Sequence, residues 1–264
     1  MEALYQELWG KFETSNVIQD FTIQVPKPTN FNRYGIDPLR ATSNTQPRFS
    51  YVLPRQKSKF TSLRTKARLP SRGTRILVRK EYRVIEKLLE DEEEEKWSEL
   101  DQNEDPEMGA CLDYKVLGQP GCGGYLVCHF SALANSNVLG KSFFLSYLLV
   151  RRLLRSQPTV YRRGDDCCYI FQEDTAGIMV DARHLFGLPG DQKRKLWILT
   201  DETLDNPQWQ DGTHEWFVIL AASPKKVRDS KQWAKDRNIG VRYMSNWGWE
   251  EIFAAFRYYN FLLL

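Results

Sequence analysis

Gly118-Gln119-Pro120-Gly121-Cys122-Gly123 follows the short apolar run 114–117, and Gly140-Lys141-Ser142 opens the stretch KSFFLSYLLVRRLLR, residues 141–155. The first run reads as a strand. The second reads as a helix apolar on most faces, with Phe144, Tyr147, Leu148 and Val150 turned inward and its Arg pairs late, where they suit the helix dipole. A strand, then G-x-x-x-x-G-K-[ST], then a helix is the pattern of a phosphate loop. The glycines let successive N–H groups curl toward phosphate oxygens, and the helix N-terminus adds partial positive charge. Here the two halves are separated by GYLVCHFSALANSNVL, residues 124–139. Excising the 17 residues 124–140 leaves GQPGCGKSFFLSYLLVRRLL, an unbroken loop joined to its helix.

The interruption reads as translated intron, with a true inserted loop as the alternative. Sequencing the transcript separates the two: a mature message without these codons supports the first. Closing a loop of this length costs little entropy. A phosphate cradle, however, requires consecutive backbone conformations. Nucleotide binding is therefore expected to be weak or absent in the chain as it stands.

A phosphate loop needs an acid opposite it. The apolar run KLWILT, residues 195–200, ends in Asp201-Glu202 and reads as a Walker B strand. In that arrangement Asp201 and the Ser142 hydroxyl hold magnesium, and Glu202 polarises water. Alternatively, Asp201 and Glu202 simply cap a strand. The next buried run, WFVILAA (216–222), leads to Ser223, a candidate polar sensor for the terminal phosphate. The nucleotide-binding set is thus Gly118, Gly121, Gly123, Gly140, Lys141 and Ser142. Arg183 and Arg228 are weaker candidates for arginine fingers. His129, His184 and His214 are isolated, with no base–nucleophile pairing.

From residue 112 onward apolar strands alternate with helical segments. With the phosphate-loop pattern, the expected fold is therefore α/β, of P-loop type, with a mainly parallel sheet flanked by helices. Further strands are expected at 159–162, 168–172, 177–181 and 241–244, and helices at 230–237 and 249–259. Residues 1–73 read as an irregular arm, broken by prolines at 26, 28, 38, 47, 54 and 70. Residues 74–110 read as a strand, a helix and an acidic linker, and 111–264 as the nucleotide-binding domain.

Charge is segregated. Residues 1–80 hold fifteen Lys/Arg and five Asp/Glu, whereas residues 86–107 hold twelve Asp/Glu and two Lys. The basic arm, with Phe49, Tyr51 and Phe60 interleaved, suits a nucleic-acid partner or an extended segment lying on the domain. The five cysteines are odd in number and lack metal-ligand spacing, which fits an intracellular protein with reduced thiols. No signal peptide is evident at the N-terminus. No apolar run reaches the roughly 18 residues of a membrane span.

Reassembled, GQPGCGKSFFLSYLLVRRLL followed by TVYRR resembles the P-loop module of Crinkler-like proteins, relatives of the retrotransposon-hot-spot proteins. The likeness extends over about 75–257 and takes in ILVRKEYRVI (77–86), KLWILTDE (195–202), AASPKKVRDSKQWAKDR (221–237) and WGWEEI (247–252). It implies an AAA-like ATPase module using ATP and magnesium, often coupled to nuclease or kinase-like domains. Against the family pattern the sequence reads as departing in its split loop, in showing no separate nuclease or kinase domain and in its FRYYNFLLL ending. The competing reading is a non-catalytic nucleic-acid or protein-binding module built on the basic residues 1–80.

Overall fold

The computed structural model describes residues 1–13, 16–26, 55–71, 73–102, 113–118, 141–162, 167–201, 216–222 and 239–260. The chain opens with helix α1 (Glu2–Leu8) and strands β1 (Ile18–Pro26), β2 (Arg55–Arg64) and β3 (Arg75–Val78). Helix α2 (Lys80–Gln102), strand β4 (Tyr114–Gly118) and helix α3 (Lys141–Leu154) follow. Strands β5 (Thr159–Arg162), β6 (Cys167–Gln172) and β7 (Thr175–Asp181) lead to two short helices, α4 (Arg183–Phe186) and α5 (Gly190–Arg194). Last come β8 (Trp197–Thr200), β9 (Phe217–Ala222), β10 (Gly240–Met244) and helix α6 (Trp249–Asn260).

Seven strands form one mixed sheet in the order β10-β4-β9-β8-β5-β6-β7. The five from β10 to β5 are mutually parallel, and β6 and β7 continue as an antiparallel hairpin. Runs such as FVILAA are apolar at every position because both faces of a parallel sheet are covered. On one face Val116, Leu199, Ile219 and Ala221 join a core with α2 and α3. On the other, Leu117, Ile198, Val218 and Leu220 pack with Leu185 and Leu196. The protein is thus α/β, with a mainly parallel sheet flanked by helices.

Helix α3 is buried on nearly all sides, from Phe144 to Val150 and from Arg152 to Leu154. Burying each large apolar side chain of this kind contributes about 1.5–3 kcal/mol. At its far end Arg152 donates to Thr159 Oγ1 and the Pro158 carbonyl, both at 3.0 Å, and lies 4.0 Å over the Trp197 ring. Helix α2 lies beside α3, with Tyr82, Ile85 and Leu89 inward at helical spacing. Between them Glu86, nearly buried, accepts from Arg151 Nε at 2.7 Å and from the Tyr147 hydroxyl. Burial is the largest cause, and Glu86 the next, that raises the Tyr147 phenol.

The stretch 1–73 is not irregular throughout. It contains α1, β1 and β2, and β1-β2-β3 form a second, antiparallel sheet. In β1 and β2 one face is polar and the other only half apolar, so period-2 alternation is weak and the surrounding prolines dominate the sequence signal. Phe21, opposite Phe60, stacks on Tyr258 of α6 with ring centroids 5.4 Å apart. Helix α1 packs near the β6–β7 hairpin, where Gly177 takes a φ of +65° at a bulge opposite Ile170 and Phe171. The expected helix at 230–237 and the linker beyond residue 102 lie outside the described residues. Two short helices, α4 and α5, occupy a stretch the sequence pattern left unassigned.

Candidate functional site

The strand order sets a topological switch point, the expected position of a ligand crevice, at the carboxyl end of the parallel strands. From β4 the chain crosses to β5 on one side, and from β9 it leaves toward β10 on the other. In an open α/β sheet such a switch point marks where ligands bind, outside the carboxyl ends of the strands. Gly118 ends β4 there, paired with Met244 at the end of β10. Residue Asp201 directly follows β8, two strands away, so β9 alone separates β4 from the strand that ends at Asp201.

Helix α3 begins at this edge. Lys141 and Ser142 form its first turn, both half-buried. Ser142 Oγ lies 3.4 Å from Asp201 Oδ2, and the hydroxyl donates to the carboxylate. Residues 59 apart in sequence, on a helix and at a strand end, thus share one point. The first turn of α3 carries no acidic residue, whereas α2 has Glu81 and α6 has Glu250 and Glu251 in theirs. The positive end of the α3 dipole therefore faces the crevice without a carboxylate of its own turn to offset it.

A hydroxyl and one carboxylate are a sparse donor set. Among the described residues no group of three or more His, Cys, Asp or Glu could hold a metal by itself. Magnesium suits such a pair, because it keeps waters and takes its remaining ligands from phosphate oxygens.

Gly121, Gly123, Gly140, Glu202, Ser223, Arg228, His129 and His214 lie outside the described residues. Arg183 is placed elsewhere: it lies two residues beyond the end of edge strand β7, five strand positions from β4, or about 24 Å at ordinary spacing. There its guanidinium grips Asp181 through bonds of 2.7–3.2 Å. Its side chain and its backbone N–H together hold the Asp181 carboxyl down at about 2. That engagement and distance remove Arg183 from this chain's own crevice. His184 is exposed on α4, beside it.

Two further features of this edge carry no sequence motif. Arg162, fully buried, ends β5 next to the β8 end. Arg79, 2% exposed, joins the start of α2 to the segment after β10. It donates to the Ser245 and Asn246 carbonyls at 3.0 and 3.1 Å, pairs with Glu251 at 3.2 Å and lies 4.7 Å over Trp247. The adjoining sequences, ILVRK and WGWEE, are separated by some 170 residues, and only the fold brings them together. Tyr259 of α6 likewise accepts the Leu77 N–H at 3.0 Å and meets Phe143 in the first turn of α3.

Among the described residues no helix is long and apolar enough to cross a membrane. No protein-family model, curated protein or solved structure matches the chain.

Proposed function

We propose that the chain is a magnesium-dependent nucleoside-triphosphate-binding module of P-loop, AAA-like type, weakened by the split in its phosphate loop. The observation that carries this reading is the 3.4 Å contact between Ser142 Oγ and Asp201 Oδ2. A P-loop site needs its hydroxyl and its strand-end carboxylate within reach of one ion, and these are the two residues the motif nominates. Lys141, one residue earlier, is the cation for the terminal phosphates. The N-terminus of α3, which has no acidic residue in its own first turn, adds favourable potential for an anion.

In this reading Ser142 and Asp201 hold magnesium, which would neutralise phosphate charge. Lys141 orients the phosphates, and Glu202 positions and polarises water. Gly118, Gly121, Gly123 and Gly140 supply the backbone cradle, and Ser223 senses the terminal phosphate. ATP as the nucleotide, and kinship with Crinkler and retrotransposon-hot-spot modules, rest on the sequence resemblance.

The test compares the intact chain with a deletion of 124–140. Calorimetry with MgATP is expected to show no low-micromolar binding to the intact chain. The deletion variant is expected to gain binding and magnesium-dependent hydrolysis, both abolished by Lys141→Ala. A deletion variant that melts cooperatively yet neither binds nor hydrolyses ATP or GTP would refute the reading.

A further inference from the structure

Lys141 and Ser142 sit where a helix supports itself least. The first four N–H groups of a helix have no partner within it. The turn from Lys141 to Phe143 is only half-buried, whereas α3 from Phe144 to Val150 is buried. Much of what holds this turn must therefore come from other elements. Ser142 reaches Asp201 at 3.4 Å. Phe143, the next residue, goes to α6, where its ring meets that of Tyr259 edge-on with centroids 6.0 Å apart.

Tyr259 is one link in a longer row. Its ring lies nearly perpendicular to that of Tyr258, with centroids 5.2 Å apart. Tyr258 stacks on Phe21 of β1 at 5.4 Å, and Phe21 meets Phe60 across the β1–β2 ladder at 6.0 Å. Each separation lies in the range over which aromatic pairs attract. Five rings thus run without a gap from the second sheet to the residue after Ser142. Neighbours on a helix point about 100° apart, so Tyr258 can serve β1 while Tyr259 serves α3. The Tyr259 hydroxyl also accepts the Leu77 N–H of edge strand β3 at 3.0 Å. The start of α6 is anchored too. Gln56 of β2 donates to Glu250 at 2.5 Å, and Arg79 joins Glu251 to the Ser245 and Asn246 carbonyls. Those carbonyls follow β10, whose Met244 pairs with Gly118. Helix α6 therefore links the second sheet to both halves of the split phosphate loop.

We propose that Phe21 and Tyr258 are positioning residues for Lys141 and Ser142: the second sheet, acting through this aromatic row, fixes the first turn of α3. Strands β1 and β2 then belong to the phosphate-binding machinery and are not an appended arm. The functional sense of this positioning rests on the crevice being a phosphate site, as proposed above. The positioning itself can be observed without nucleotide.

The test is amide hydrogen exchange of the full chain at Leu145 and Ser146, whose N–H groups close the first turn of α3. Phe21→Leu and Tyr258→Leu, each removing one ring from the row, are expected to speed exchange there about three- to tenfold. Leu153 and Leu154, at the far end of the helix, should keep their rates. Phe21→Tyr and Tyr258→Phe, which retain the rings, should exchange like the parent. In a Phe143→Leu background the effect of Phe21→Leu should vanish, because the row is already cut. Tyr259→Phe keeps every ring but releases Leu77, and should speed the same two amides about threefold. It serves where a leucine variant fails to melt cooperatively. In the variant lacking 124–140, Phe21→Leu should weaken MgATP binding by the same factor as it speeds exchange. Parent rates at Leu145 and Ser146 in the leucine variants would overturn the proposal. So would acceleration shared equally by all α3 amides, or additive effects of Phe21→Leu and Phe143→Leu. Selective acceleration without nucleotide binding by the deletion variant would support the positioning and overturn the reading of the crevice instead.

Discussion

Ser142 carries one hydroxyl, and the reading of the crevice turns on where that hydroxyl points. In the uninterrupted variant, Ser142→Ala or Asp201→Asn is expected to weaken magnesium-nucleotide binding at least tenfold while leaving binding without magnesium little changed. Calorimetry with and without chelator reads the difference. Cys167 and Cys168 offer an independent check on burial. Cys167 is exposed and Cys168 buried, and burial pushes the Cys168 thiol up to about 12. At pH 8, iodoacetamide should modify Cys167 in the native protein and reach Cys168 only on unfolding, as mass spectrometry would show. The raised thiol also has a stability sign. Its preference for the neutral form is complete below the ordinary thiol value of 9.0 and fades as pH rises toward about 12. At Gly177 a Cβ would come within 2.7 Å of the Phe171 ring on a backbone at φ +65°. Gly177→Ala is therefore expected to cost about 1–3 kcal/mol. Lys141, Ser142 and Asp201 were legible in the sequence because their chemistry follows from residue type and spacing. Arg79 was not, since nothing local reveals that its partners lie some 170 residues away.

At the scale of elements, the α2–α3 junction is the most consequential contact outside the crevice. Glu86 serves Tyr147 and Arg151 at once, and Arg155 lies 3.6 Å from it. Glu86→Ala is expected to destabilise the fold by about 2 kcal/mol, because it leaves a buried phenol and a half-buried guanidinium unsatisfied. Glu86→Gln, which keeps an acceptor, should lose less, and urea unfolding would rank the two. Strands β8 and β9 and helix α3 were readable because doubly covered elements need nearly continuous apolar sequence. Strands β1 and β2 were not, because an outward polar face and a thinly apolar inner face leave little periodicity. Their pairing is set by partners: Phe21 by Phe60 and Tyr258, and β2 by the buried β3. Helices α4 and α5, at four and five residues, are too short to show a period.

Over the whole molecule, parallel pairing was foreseeable from alternating apolar strands and helices, but strand order was not. Order depends on crossovers that sequence pattern does not encode, and it alone brings β4 and β8 to flank one crevice. That order also limits when the crevice can exist during translation. Strand β4 lies between β9 and β10, and those neighbours are made about 100 and 120 residues after it. At ordinary elongation speeds of 5–20 residues per second, the strand waits roughly 5–20 s at the ribosome with both edges unpaired. In the variant lacking 124–140, a nascent chain stalled before residue 217 should therefore recruit holdase chaperones and resist nucleotide crosslinking. One released after β10 should do neither, so the site is completed only once β10 has been made.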